Sequence, residues 1–131
     1  MGAIILRRGR VLLVERGRDP LKGWWSLPGG VLKTGELLDA GIRREVLEET
    51  GLVVRPYRLF EVFERIMRDS RGRAEYHYVL VDYLCRVTGG ALAPGDDVSR
   101  AEWVSRERLQ DYRITEGTED VIRRAFGAAR T

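Results

Sequence analysis

Three carboxylates, Glu45, Glu48 and Glu49, stand at a spacing that becomes chemically useful if their segment is helical. At about 100° per residue, Glu48 and Glu49 fall on either side of Glu45 within an arc of roughly 100°. Like charges on one face repel. Arg44 sits four residues before Glu48 and relieves that repulsion only in part. A hard divalent cation would relieve it fully, and oxygen ligands of this kind suit Mg²⁺, with Mn²⁺ as the alternative ion. A solvated acidic face is the other reading of such a run.

The residues ahead of these carboxylates favour the first reading. Gly29-Gly30 lets the backbone come close to a ligand, and Gly35-Glu36 forms a second tight turn before the helix. Written out, Gly30, Glu36, Arg44, Glu45, Val46, Glu48, Glu49, Gly51 and Leu52 give G-x5-E-x7-R-E-U-x-E-E-x-G-U, with U aliphatic. At this chain's own residue frequencies the fixed types coincide by chance on the order of 10⁻⁵ times over the chain. The pattern is the Nudix box, and the chain resembles the Nudix hydrolase family. Trp25-Ser26-Leu27-Pro28 upstream and Glu102-Trp103-Val104 downstream are similar to the family's flanks.

The resemblance implies an α/β fold, an α/β/α sandwich around a mixed central β-sheet, occupying residues 1–131 as a single domain. It also implies Mg²⁺-dependent hydrolysis of a nucleoside diphosphate linked to another group, an ADP-ribose-like compound or a nucleoside triphosphate. Carried over by position, Glu48 and Glu49 are the expected metal ligands. Glu45 is a further ligand or the group that orients or deprotonates the attacking water, and Gly30 offers its carbonyl. Glu36 and Arg44 brace the box, Arg44 standing among the catalytic residues beside Glu45 and Glu48, and Gly51 closes the helix. A small-molecule nucleotide is the expected partner, a homodimer is a family expectation, and nucleic acid is disfavoured.

The chemistry explains the residue types. A diphosphate repels hydroxide, so its hydrolysis needs phosphoryl charge neutralised and a water made nucleophilic near neutral pH. A carboxylate within reach accepts the proton, and Asp96 and Asp97 are candidates beside the box glutamates, with an ordinary polar turn as their other reading. Lys33 departs from the family pattern, which often has glutamate there. It contacts substrate phosphate or simply lies on the loop. Trp24 is the candidate for stacking on a nucleobase, whereas Trp25 and Trp103 read as core. Gly41, where alanine is common, suggests close packing of the helix.

The elements that must position these groups can be read from periodicity and breakers. Residues 3–7 and 10–16 form an opening hairpin about Gly9. Residues 16–22 read as a loop, and a short strand then runs into Pro28-Gly29-Gly30. The helix spans about Leu37 to Thr50, with Gly51 in the left-handed position beyond it. Strands 52–68 and 74–87 make a long hairpin. Residues 88–100 are expected as an exposed acidic loop, followed by a short strand through Trp103-Val104. Ser105 then caps a small helix to about Tyr112, and a last helix covers about 118–128.

Composition narrows the class. The chain has 131 residues, 44% apolar and 33% charged, with one cysteine, Cys85, so no disulfide framework can form within it. No stretch approaches the ~20 apolar residues of a membrane helix, and with no secretory signal the expectation is a cytoplasmic protein. The net charge is +3, but Arg supplies all the basic residues except Lys22 and Lys33, and Arg is the better bidentate partner of phosphate. Asp82, in an apolar strand, needs an Arg from a neighbouring strand or an exposed edge. His77 reads as structural, and Arg65, Arg68, Arg71 and Arg73 gather at a hairpin tip. Two other functions remain open: a non-catalytic nucleotide sensor on the same fold, and an RNA 5′-end pyrophosphohydrolase supported by that tip alone.

Overall fold

A computed structural model describes residues 1–129; the last two residues of the expected 1–131 domain lie outside the described residues. The opening apolar runs form β1 (Gly2–Arg7) and β2 (Arg10–Arg16), which meet as a hairpin through Leu6–Val11 and Arg7–Arg10. Both runs are buried on both faces. Ala3, Ile5 and Leu12 pack with Ile42 and Val46 on one side, while Ile4, Val11 and Leu13 join the opposite core with Val121, Ile122 and Phe126. Continuous apolar strands are what a sheet covered by helices on both faces requires.

The helices are α1 (Leu38–Thr50) and α2 (Thr118–Ala129). In α1 the buried residues are Gly41, Ile42, Val46 and Thr50, one stripe at helical spacing. A methyl at Gly41 would meet Glu36, Leu32 and Met1 at about 3 Å, so the close packing suggested by that glycine is present. Gly51 ends the helix at φ 76° with its N–H on the Leu47 carbonyl.

Between the helices lies a six-stranded mixed sheet. The remaining strands are β3 (Trp25–Ser26), β4 (Leu52–Arg68), β5 (Ala74–Gly90) and β6 (Val98–Ser105). The order is β3-β2-β1-β5-β4, with β6 also on β2. The β1–β5 pair is parallel and the others are antiparallel. The sandwich is therefore the expected one. Irregularities in β4 fall at Pro56/Arg58 and Leu59/Glu61, where a proline that cannot donate to the ladder is tolerated.

The structure corrects several expectations. β5 runs on to Gly90, because Gly89 and Gly90 still pair with Val53 and Leu52, so the exposed loop is only 91–97. β6 starts at Val98, pairing with β2 along its length beyond a bulge at Glu15/Arg16. Ser105 occupies the cap position of Arg106–Asp111 without a side-chain bond, and that segment is a 3-10 helix. Trp103 is only half-buried against the α1-side core. Among the described residues Asp82 has no Arg partner, and it has no exposed edge. It is 6% exposed opposite Gly2, and burial pushes its carboxyl up to about 6, with the Met1 amino group partly opposing.

Candidate metal and nucleotide cleft

β1 and α1 converge on the Gly29-Gly30 turn. The Ala3 N–H donates to the Pro28 carbonyl and the Gly30 N–H to the Met1 carbonyl, while the Met1 nitrogen donates to the Gly30 carbonyl at 2.7 Å. This pins the turn against the start of the sheet. Gly30 is required by space, because an added Cβ would sit 2.5 Å from the Glu45 Cδ. Gly29 donates its N–H to Glu49 Oε1 at 2.7 Å. The turn thus holds Glu49 through its backbone and leaves room for the Glu45 carboxylate against Gly30.

Arg44 organises the remaining carboxylates. Its Nε and Nη2 make a bidentate pair with Glu36 at 2.7 and 2.9 Å, and Nη1 reaches Glu45 at 2.9 Å and Glu48 at 3.3 Å. Nη2 also donates to the Val31 carbonyl at 3.2 Å. Hydrogen bonds from Arg44, with help from the Lys33 N–H, hold the Glu36 carboxyl down at about 2. A planar fork can serve several acceptors at once, which an ammonium cannot do with the same geometry. Glu36 and Arg44 are thus paired through two hydrogen bonds.

Glu49 shows what the cleft demands of its occupant. Burial pushes its carboxyl up to about 7, against the Gly29 hydrogen bond, and Glu45, Asp96 and Asp97 push the same way. Three carboxylates therefore act on Glu49 at the mouth of the box. Asp96 and Asp97 reach it because the 91–97 loop is tied down by its main chain. Ala93 N–H bonds the Thr50 carbonyl at 2.8 Å, Gly95 N–H the Glu49 carbonyl at 3.0 Å, and Gly17 N–H the Asp97 carbonyl at 2.8 Å.

These groups share a cleft of about 640 Å³ lined by Gly29, Gly30, Glu45, Glu49, Asp96 and Asp97, among others. The hard oxygen donors and the mutual repulsion fit a divalent cation in kind. Among the described residues no three acidic side chains yet converge closely enough to enclose one. Glu48 is exposed, leans on Arg44 and does not line the cleft. Lys33 is exposed and contributes its backbone N–H to Glu36. Trp24 is half-buried under the Arg113 guanidinium, 4.1 Å from the ring centroid, and also lies outside the cleft.

Sequence reasoning missed Arg16 and Arg18. Both line the cleft, with Arg18 paired to Asp97 at 3.0 Å. They bring positive charge opposite the carboxylates, which a phosphate-bearing ligand needs. The only sequence clue was the pair of arginines around Gly17 at the end of a buried strand, in a segment that otherwise reads as a polar loop.

Comparison with known proteins places this geometry. A family model described as NUDIX domain matches residues 1–125. An ADP-ribose pyrophosphatase of Methanocaldococcus jannaschii is 36% identical over 106 residues, 81% of this chain and 60% of that protein. Across that protein and two further curated relatives the matches span 32% to 64% of the relative's length. Among solved structures, an ADP-ribose pyrophosphatase of Streptococcus suis superposes with a TM-score of 0.76 at 26% identity, covering 99% of this chain and 90% of that one. The NUDIX domain of Shewanella oneidensis NrtR, crystallised with ADP ribose, gives 0.78 at 25% identity over 98% of this chain and 85% of the other.

Proposed function

The chain belongs to the NUDIX domain family, and from that premise we propose that its cleft hydrolyses a phosphoanhydride bond in a nucleoside diphosphate derivative, with ADP-ribose-like compounds first and nucleoside triphosphates second. The observation that carries this reading is the convergence of Glu45, Glu49, Asp96 and Asp97 with Arg16 and Arg18 on one cleft beside Gly29-Gly30. The names of the relatives from Methanocaldococcus jannaschii and Streptococcus suis support the choice of ADP-ribose.

Glu45, Glu48 and Glu49, with the Gly30 carbonyl, would hold the divalent cation, Mg²⁺ before Mn²⁺. Such a cation, when bound, supplies charge neutralisation at the phosphoryl oxygens and acidifies water. Arg16 and Arg18 hold the substrate's phosphates. A water oxygen attacks phosphorus, the bond from phosphorus to the bridging oxygen breaks, and the bridging oxygen leaves on the second phosphate. A cleft carboxylate, Glu45 or one of Asp96 and Asp97, accepts the water's proton. The products are two phosphomonoesters from ADP-ribose, or a nucleoside monophosphate and pyrophosphate from a triphosphate. Arg44 is a positioning residue in this scheme, since its contacts are with Glu36, Glu45, Glu48 and Val31.

The deciding experiment is product analysis with Mg²⁺ against ADP-ribose, nucleoside triphosphates, sugar nucleotides and dinucleoside polyphosphates, with Glu48→Gln alongside. The expected result is a nucleoside monophosphate from one class, lost in the variant while the fold persists. Near-normal turnover in a folded Glu48→Gln protein would sink the assignment. The second reading is a non-catalytic nucleotide sensor on the same fold, favoured by the likeness to the NUDIX domain of Shewanella oneidensis NrtR crystallised with ADP ribose. Saturable ADP-ribose binding without turnover in Mg²⁺ or Mn²⁺ would select it.

A further inference from the structure

The turn between β1 and β2 gathers positive charge. Arg7 and Arg10 are Cα partners in that hairpin, so both side chains stand on one face, where like charges directly opposite each other repel. It is the face on which α1 packs, because Ile5 and Leu12, each two residues further into the sheet, belong to the α1-side core. Past them the face is open, and Arg7, Arg8 and Arg10 are exposed. Arg8 adds its guanidinium from the turn itself, at φ 51° before Gly9 at φ 76°. A two-residue turn of this kind favours Asn-Gly or Asp-Gly, and an arginine there forgoes the local hydrogen bond that suits asparagine to the left-handed region.

The surrounding chain does not balance this charge. Residues 3–14 and 83–95 contain no Asp or Glu, and none of the three guanidiniums has a hydrogen bond or ion pair among the described residues. The acids of neighbouring elements are engaged elsewhere: Asp39 with Arg43 on α1, Glu102 with the Tyr112 hydroxyl and Asp111 with Arg108, while Glu107 directly follows Arg106. The three arginines and Trp103 line a concavity of about 470 Å³, a size common among small-molecule sites. Trp103 is the Cα partner of Leu12, so its half-buried indole stands on the same face as Arg10, two residues inward. Val14, four residues along β2 from Arg10, lines the Glu45–Glu49 cleft, which places the two hollows about 14 Å apart on one face of the sheet.

We infer that this concavity is a second, non-catalytic nucleotide site. It takes a nucleoside diphosphate or triphosphate, with the phosphates on Arg7, Arg8 and Arg10 and the base against Trp103. Guanidinium forks match phosphate oxygens, and a bound polyphosphate relieves the Arg7–Arg10 repulsion. An indole beside those cations offers the base a stacking plane. One such plane fits one base. A nucleic-acid strand needs a run of them, and among the described residues Trp103 alone supplies an aromatic ring to this concavity. The site uses none of the residues assigned to hydrolysis in the cleft and stands or falls apart from that reading.

The test is titration calorimetry of the full chain with ADP in EDTA, where no divalent ion supports turnover. ADP should bind saturably, and Arg7→Ala/Arg10→Ala should weaken it about tenfold or more. Pyrophosphate should bind the wild type about tenfold more weakly than ADP, and Trp103→Leu should erase that difference. Arg16→Ala/Arg18→Ala, in the cleft, should leave the ADP affinity unchanged. Both substituted arginines of the hairpin are exposed, so Arg7→Ala/Arg10→Ala should keep the wild-type melting temperature and the wild-type turnover in Mg²⁺. No saturable binding overturns the proposal, as does binding that survives Arg7→Ala/Arg10→Ala or disappears with Arg16→Ala/Arg18→Ala. Pyrophosphate binding as tight as ADP removes the base from the site and overturns it, and so does a single-stranded oligoadenylate that binds more tightly than ADP.

Discussion

Replacing Gly30 by alanine separates the fold of this chain from its chemistry. The new Cβ would lie 2.5 Å from Glu45 Cδ and 2.6 Å from both carboxylate oxygens, where ordinary contact begins near 3.4 Å. The Glu45 carboxylate must therefore retreat by about 0.9 Å, and the 2.9 Å bond from Arg44 goes with it. The atoms met are the tip of a flexible side chain, so the backbone stays where it is. A misplacement of about 1 Å at a reacting group costs on the order of 10²-fold. We expect Gly30→Ala to lose about 10²-fold in kcat/KM for Mg²⁺-dependent phosphomonoester release, with the melting temperature lowered by no more than a few degrees, about 1 kcal/mol. Gly29→Ala is the contrasting case, since its Cβ would collide with the Met1 carbonyl oxygen and Gly2 Cα. It should lose stability first. A folded Gly30→Ala enzyme with kcat/KM within about threefold of wild type, far short of the 10²-fold expected, would refute the placement of Glu45 at the reacting centre.

Other consequences can be measured directly. Arg44→Lys keeps the charge but loses the fork that serves Glu36, Glu45 and Glu48, so metal affinity by titration calorimetry should fall ~10–100-fold. Mg²⁺ at a hundred times its dissociation constant should stabilise the wild type by about 2.7 kcal/mol, and Glu49→Gln should abolish most of that shift in thermal denaturation. Asp82→Asn tests the buried carboxyl. Its folded value of about 6 lies above the ordinary 3.8, so the folded state binds the extra proton and stability is lost as pH rises through 6. Two units correspond to at most about 3 kcal/mol, so urea denaturation should find the variant gaining on wild type between pH 4 and 8, and a constant difference across that range would refute the burial argument. Glu49 gives the metal-free protein a slope of the same sign, which the comparison with Asp82→Asn subtracts.

The box was legible because its residues answer to local rules. Gly51 is needed in the left-handed position, Gly41 where Glu36, Leu32 and Met1 crowd the helix, and Glu45, Glu48 and Glu49 on one face. Contacts between distant segments were not legible. Val98 joins β2 across a bulge, and Ser99 and Arg100 are polar on an edge strand, so β6 reads as loop until its register with Glu15 and Arg16 is known. Arg16 and Arg18 enter the cleft because Gly17 bonds to the Asp97 carbonyl, a pairing 80 residues away in sequence. Trp24 was expected to wait for a base, but Arg113, which no local pattern links to it, covers its ring.

The loop that carries Asp96 and Asp97 is fastened to the last turn of α1 and to the end of β2 by main-chain hydrogen bonds, with the Arg18–Asp97 pair beside them. Its course is set by amides and carbonyls that every residue except proline supplies, together with Gly95, whose Cβ would press on the Glu48 carbonyl oxygen. Position 97 thus behaves as a socket of fixed location, while position 96, at φ 53°, favours Asp, Asn or Gly. Substitution there can retune which anions or bases the cleft accepts while the catalytic helix stays in place, and a lineage could change substrate without relearning how to fold.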